Sequence, residues 1–139
     1  MTIRFSRSVP FLACVDVEKT MQFYIDKLGF TKDWTWNGDD GEITDGGVVR
    51  DDLSIYFMKN AELAARVHES ELMMDVSPIE AIHAEHLSRG APITRPLRDE
   101  PWGVREYSVV DPAGYRLRFG ESLADIQSRN GPKHIEKES

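Results

Sequence analysis

Only one cysteine, Cys14, occurs in the 139 residues, so the chain can form no internal disulfide and no thiolate metal cluster of its own. Cys14 sits in the apolar run Phe11–Val15, where a small buried thiol fits better than a nucleophile. A reducing, cytoplasmic setting is the expectation. Hydrophobic runs are short, and none approaches the roughly 20 residues that span a bilayer. The first residues carry Arg4 and Arg7 but no apolar segment with a small-residue cleavage site, so no secretory leader is expected. Positive charge is in deficit: 17 basic against 24 acidic residues give a net charge of -7. That balance excludes the basic surface that nucleic acid or an anionic membrane demands. A Gly-rich phosphate loop, a nucleophile elbow and a Ser–His–Asp order are all missing.

What is present suffices for one packed domain, with 40% hydrophobic residues. The acidic excess is local. Residues 1–32 have a net charge of +2, residues 33–75 of -8 and residues 76–139 of -1. Many of these acids, such as Asp39, Asp40, Asp51 and Asp52, fall at turn signals.

Alternation and helical spacing predict eight strands and two principal helices. The first strand is expected over Ser8–Asp16. A helix follows over Val17–Leu28, with Asp16 as its cap and Gly29 at its end. Strands over Phe30–Trp36, Glu42–Arg50 and Leu53–Met58 come next, then a partly helical connector over Asn60–Val67. The order recurs with a strand over Glu71–Val76 and a helix over Pro78–Arg89 capped by Ser77. Strands near Ala91–Leu97, over Val104–Val110 and over Tyr115–Gly120 complete it. The Asp111-Pro112-Ala113-Gly114 turn joins the last two. The chain thus reads βαβββ twice, an α+β pattern. The last of these strands lies 62 residues after its counterpart (Phe57 to Phe119), and the same offset takes Phe11 to Met73. A short helix and a polar tail are expected over 122–139.

Two motifs carry a resemblance. Leu12–Val17 followed by Phe23-Tyr24 and Leu28-Gly29-Phe30 forms one. Arg105–Gly114 followed by Leu117 and Phe119 forms the other. Together they resemble the vicinal oxygen chelate superfamily, which includes glyoxalase I, fosfomycin-resistance enzymes, extradiol dioxygenases and bleomycin-resistance proteins. The resemblance implies a single domain over residues 1–121, made of tandem modules of about 8–59 and 70–121 whose sheets curl around a cavity. It also implies a homodimer.

Enzymes of that superfamily hold a divalent metal on four strand positions. By the repeat register these are Val9, Tyr56, Glu71 and Arg118 here. Only Glu71 is a suitable ligand, and Arg118 puts a cation where the metal belongs, paired with Glu71. No cofactor and no metal are therefore expected. His83 and His86, near Glu80 and Glu85, are read as a partly exposed helix face, His68 as a loop residue and His134 as part of the tail.

If those four positions face the cavity, alternation assigns its walls. Phe11, Tyr56 and Met58 come from the first module. Glu71, Met73, Glu106, Ser108, Arg116 and Arg118 come from the second. Trp34, Trp36 and Trp102 fall at the rim, with Trp102 in a Pro-Trp-Gly loop suited to stacking on a ligand. The expected function is metal-free small-molecule binding like that of bleomycin-resistance proteins. The expected ligand is a cationic or aromatic antibiotic or metabolite, for example a cationic glycopeptide-type drug. The alternatives are a glyoxalase-type lyase, isomerase or dioxygenase with displaced metal ligands, and a metal-free enzyme using Glu71 or Glu106 as base.

Overall fold

The computed structural model describes residues 1–66 and 70–138, and for 132–138 the backbone alone. His68 lies outside the described residues, as does the side chain of His134. The chain divides into two compact units, Met1–Val67 and His68–Ser139.

The first unit contains β1 (Phe11–Cys14), α1 (Val17–Leu28), β2 (Thr31–Asn37), β3 (Ile43–Arg50), β4 (Leu53–Lys59) and the single turn α2 (Ala61–Ala64). Its sheet order is β1-β4-β3-β2, with β1 parallel to β4 and the other pairs antiparallel. α1 forms where the sequence signals it. The Asp16 carboxylate accepts from Lys19 N at 3.0 Å, and Gly29 closes the helix at φ 79°, a value that costs other residues strain. Its apolar stripe of Val17, Met21, Tyr24 and Leu28 is buried where α1 packs on β3 and β4, whose Val48, Ile55 and Phe57 are buried too. The Tyr24 ring lies 5.0 Å from Phe57 and 5.7 Å from Phe30. Each such side chain contributes about 2 kcal/mol by burial. Cys14 is buried here, its thiol donating to the Met58 carbonyl at 3.6 Å. β1 is shorter than expected because Pro10 has no amide to give, so Val9 stands outside the strand.

The second unit repeats the plan with β5 (Glu71–Asp75), α3 (Ile79–Ser88), β6 (Ile93–Asp99), β7 (Val104–Val110) and β8 (Arg116–Ser122), in the sheet order β5-β8-β7-β6. The terminal α4 (Leu123–Glu138) is longer than the short stretch expected. The 62-residue offset holds in the parallel pairings: Phe11 opposes Tyr56, and Met73 opposes Arg118.

Two local expectations are corrected. Ser77 does not cap α3. The Ile79 amide is met by Glu121 Oε1 from β8 at 3.1 Å, a long-range partner invisible to local spacing. His86 is not on an exposed face but 1% exposed, with its Nδ1 2.7 Å from the Tyr107 hydroxyl and its ring against Phe119.

Candidate functional site

In each unit one sheet face is covered by a helix and the other is open. On the open face of the second unit, Arg118 is the central group. It projects from β8 opposite Ser108 of β7, two pairs along from Glu106 opposite Gly120 and so on the same face. Its Nε and Nη2 donate to the two Glu106 oxygens at 2.7 and 2.8 Å, and its Nη1 donates to Glu71 Oε2 at 3.1 Å. Arg116 Nη1 takes the other Glu71 oxygen at 2.8 Å. The Trp102 indole donates to Glu106 Oε1 at 2.6 Å, and the Arg95 and Arg118 guanidinium carbons each lie 5.9 Å from the Trp102 ring centre. These residues line an open cavity of about 540 Å³, together with Thr94, Arg98, Ser108 and Val110.

The electrostatics follow from the pairing. The Arg118 guanidinium draws the buried Glu106 carboxyl below its ordinary range, against the opposing effect of burial, and the Trp102 indole adds to the lowering. At Glu71 burial pushes the carboxyl up, but the hydrogen bonds from Arg116 and Arg118 leave it lowered on balance. Glu106 in turn raises Arg118. Both carboxylates are held ionised and hydrogen-bonded, which weakens either one as a general base.

The open face of the first unit is aromatic. Phe11, Trp34 and Tyr56 meet edge-on, with ring centres 5.6 Å (Phe11–Tyr56), 6.5 Å (Phe11–Trp34) and 5.1 Å (Trp34–Tyr56) apart. Gly47 makes room for them, since a Cβ there would stand 2.5 Å from Trp34 Nε1 and 2.7 Å from Tyr56 Cδ1. Arg7 lies over this face and donates to Ser54 Oγ at 3.2 Å and to the Tyr56 hydroxyl at 3.0 Å. Met58 is half-buried farther along β4, and Trp36 is 66% exposed.

The superfamily's metal does not fit these residues. Val9 has no donor, the Tyr56 hydroxyl accepts from Arg7, both Glu71 oxygens accept from arginines, and the Arg118 guanidinium is a cation. Among the described residues no group of three or more His, Cys, Asp or Glu is placed to hold a metal. Near the helix histidines, Glu80 pairs with Arg105 and Arg129, and Glu85 with Arg89.

A family model described as "Glyoxalase superfamily protein" matches residues 1–125. The chain belongs to the glyoxalase superfamily. Among solved structures, the bleomycin-binding protein from bleomycin-producing Streptomyces verticillus, complexed with copper(II)-bleomycin, is 28% identical. The match covers 87% of this chain and 99% of that one at a TM-score of 0.70. TioX from Micromonospora sp. ML1 is 22% identical, with coverage of 86% and 100% and a TM-score of 0.71. A glyoxalase-related enzyme from Clostridium phytofermentans is 23% identical, with coverage of 86% and 97% and a TM-score of 0.71. The last two show the fold. A comparison with curated proteins gives no match.

Within this glyoxalase-superfamily chain, five of the expected site residues line the second unit's cavity: Glu71, Trp102, Glu106, Ser108 and Arg118. Met73 is 45% exposed and opposes Arg118 but does not line it. The main partner of Arg118 is Glu106 rather than Glu71. Arg95 and Arg98 are cavity residues that sequence periodicity misses. Strict alternation separates residues three apart onto opposite faces, but β6 is irregular around Pro96. Arg95 therefore opposes Ser108 and Arg98 opposes Glu106, both cavity-facing residues. The sequence signal was the arginine pair itself, just ahead of the Pro-Trp-Gly loop. The expected ligand is cationic or aromatic, and these arginines bear on the charge of the site. Four guanidiniums and two carboxylates line the cavity, and Glu100, paired with Arg95 and Arg98, leaves one positive charge in excess; of the acidic stretch 33–75 only Glu71 reaches it.

Proposed function

We propose that the protein is a metal-free binder that sequesters an aromatic antibiotic or metabolite one-to-one, as part of drug resistance in the cytoplasm. The observation that carries this reading is the Trp102–Glu106–Arg118–Glu71 constellation. Arg118 stands at a strand position that the resemblance assigns to a metal ligand, and a half-exposed indole is fixed at the rim by its own hydrogen bond. A fixed aromatic surface over a charged floor suits stacking on a planar ligand. The likeness to a protein complexed with copper(II)-bleomycin supports the drug-binding class. The lowered carboxyls at Glu71 and Glu106 speak against general-base catalysis. A second copy of the chain completes the proposal, with Phe11, Trp36 and Met73 as exposed apolar side chains that pairing would cover.

Calorimetric titration with copper(II)-bleomycin and with the neutral planar probe anthracene-2-carboxamide tests this reading, alongside elemental analysis of the purified protein. Saturable binding of either probe near one per chain is expected, without stoichiometric metal. Trp102→Ala is expected to weaken binding about fivefold, the equivalent of one aromatic stacking contact. About one zinc, manganese or iron per chain would instead favour a metal-dependent lyase, isomerase or dioxygenase.

A further inference from the structure

Charge in the second unit's cavity is not evenly balanced. At the inner end, Arg116 and Arg118 meet Glu71 and Glu106, two cations against two anions. At the β6 end, Arg95 and Arg98 share a single carboxylate, Glu100. Arg95 Nη2 donates to Glu100 Oε2 at 2.9 Å, and Arg98 Nε donates to Oε1. Two guanidiniums on one carboxylate leave one positive charge in excess.

The anchoring carboxylate is built in. The Glu100 side chain is 3% exposed, and the residue is fixed by its amide donating to the Val104 carbonyl at 2.8 Å. The Arg95 and Arg98 side chains are 42% and 54% exposed and line the cavity. A guanidinium has five N–H donors in a planar fork, and each of these gives one to Glu100. Such a pair matches the two oxygens of a carboxylate or phosphate. Beside it, within 5.9 Å of the Arg95 guanidinium carbon, lies the half-exposed Trp102 ring.

We propose that this cavity takes a planar aromatic molecule bearing an oxyanion, a carboxylate or phosphate, with the anion held by Arg95 and Arg98 and the ring against Trp102. The proposal rests on the binding reading of the same cavity and names its ligand class. Glu100 acts as a positioning residue that holds both guanidiniums toward the cavity.

Calorimetry with four probes tests it: anthracene-2-carboxylate, anthracene-2-carboxamide, 2-(aminomethyl)anthracene as its ammonium, and inorganic phosphate. The carboxylate is expected to bind about tenfold more tightly than the amide, the size of one charged hydrogen bond. Of these two, only the carboxylate is expected to weaken as salt rises. Arg95→Gln leaves the Arg98–Glu100 pair in place. It is expected to weaken the carboxylate several-fold more than the amide, bringing the two affinities close together, and a melting curve verifies the fold. The salt series on the unaltered protein tests the same charge contact without any variant. Equal affinity for carboxylate and amide, or preference for the ammonium, overturns this proposal and leaves the binding reading standing. Phosphate binding as tightly as the aromatic carboxylate overturns the part assigned to Trp102. Failure of all four probes, and of copper(II)-bleomycin, overturns both readings.

Discussion

Arg118 performs two tasks that conflict unless its partners are in place. It is a permanent cation with only 26% of its side chain exposed, and it is stabilised by Glu106 and Glu71. Replacing it with methionine leaves Glu106, 2% exposed in its side chain, without its main counter-ion. A loss on the order of 2 kcal/mol is expected from denaturant unfolding. The pH dependence has a definite sign. The folded Glu106 carboxyl is lowered, so its stabilisation is complete at neutral pH and is lost as pH falls through the lowered folded value. The stability gap between the unaltered protein and Glu106→Gln should therefore shrink on acidification from neutral to about pH 3. A constant gap would mean that the pair contributes nothing through ionisation. Gly47→Ala is expected to displace the Trp34 indole, read as a change in tryptophan emission, because no space for a methyl group exists between Trp34 and Tyr56.

Elements whose ends carry their own signals were legible, and those fixed from a distance were not. α1 has its cap, its stripe and its terminating glycine in fourteen consecutive positions from 16 to 29. Asp16→Ala is expected to cost about 1 kcal/mol in thermal or denaturant unfolding. α3 begins without a side-chain cap of its own and depends on Glu121, 42 residues away. Glu121→Ala is expected to destabilise the protein by at least as much as loss of the Asp16 cap, because Glu121 is also paired with Arg129 at 3.2 Å. β6 shows why half of the cavity's cations were missed. Alternation is a rule of period two, and two register shifts, between Ile93 and Arg95 and between Arg95 and Arg98, change which residues share a face.

At the scale of the molecule, a net charge of -7 coexists with a cavity lined by an excess of arginine. The overall sign disfavours polyanions, while the local field favours a small anion that can reach the cavity. The proposed pairing is read by light scattering, with twice the 15.8 kDa chain mass expected. A monomeric mass at micromolar concentration would remove the second copy from the proposal while leaving the single-unit cavity intact.

The sequence by itself determined the doubled βαβββ plan, the 62-residue register, the capped first helix and which residue types stand at positions 9, 56, 71 and 118. Each of these is written in local periodicity or in the identity of a residue at a register position. Only the tertiary structure decided that Glu106 outranks Glu71 as partner of Arg118, that His86 is a core residue, and that Arg95 and Arg98 face the same cavity over Glu100. Those outcomes depend on cross-strand pairing, helix packing and two register shifts in β6, and period counting within a single segment carries no information about distances between segments.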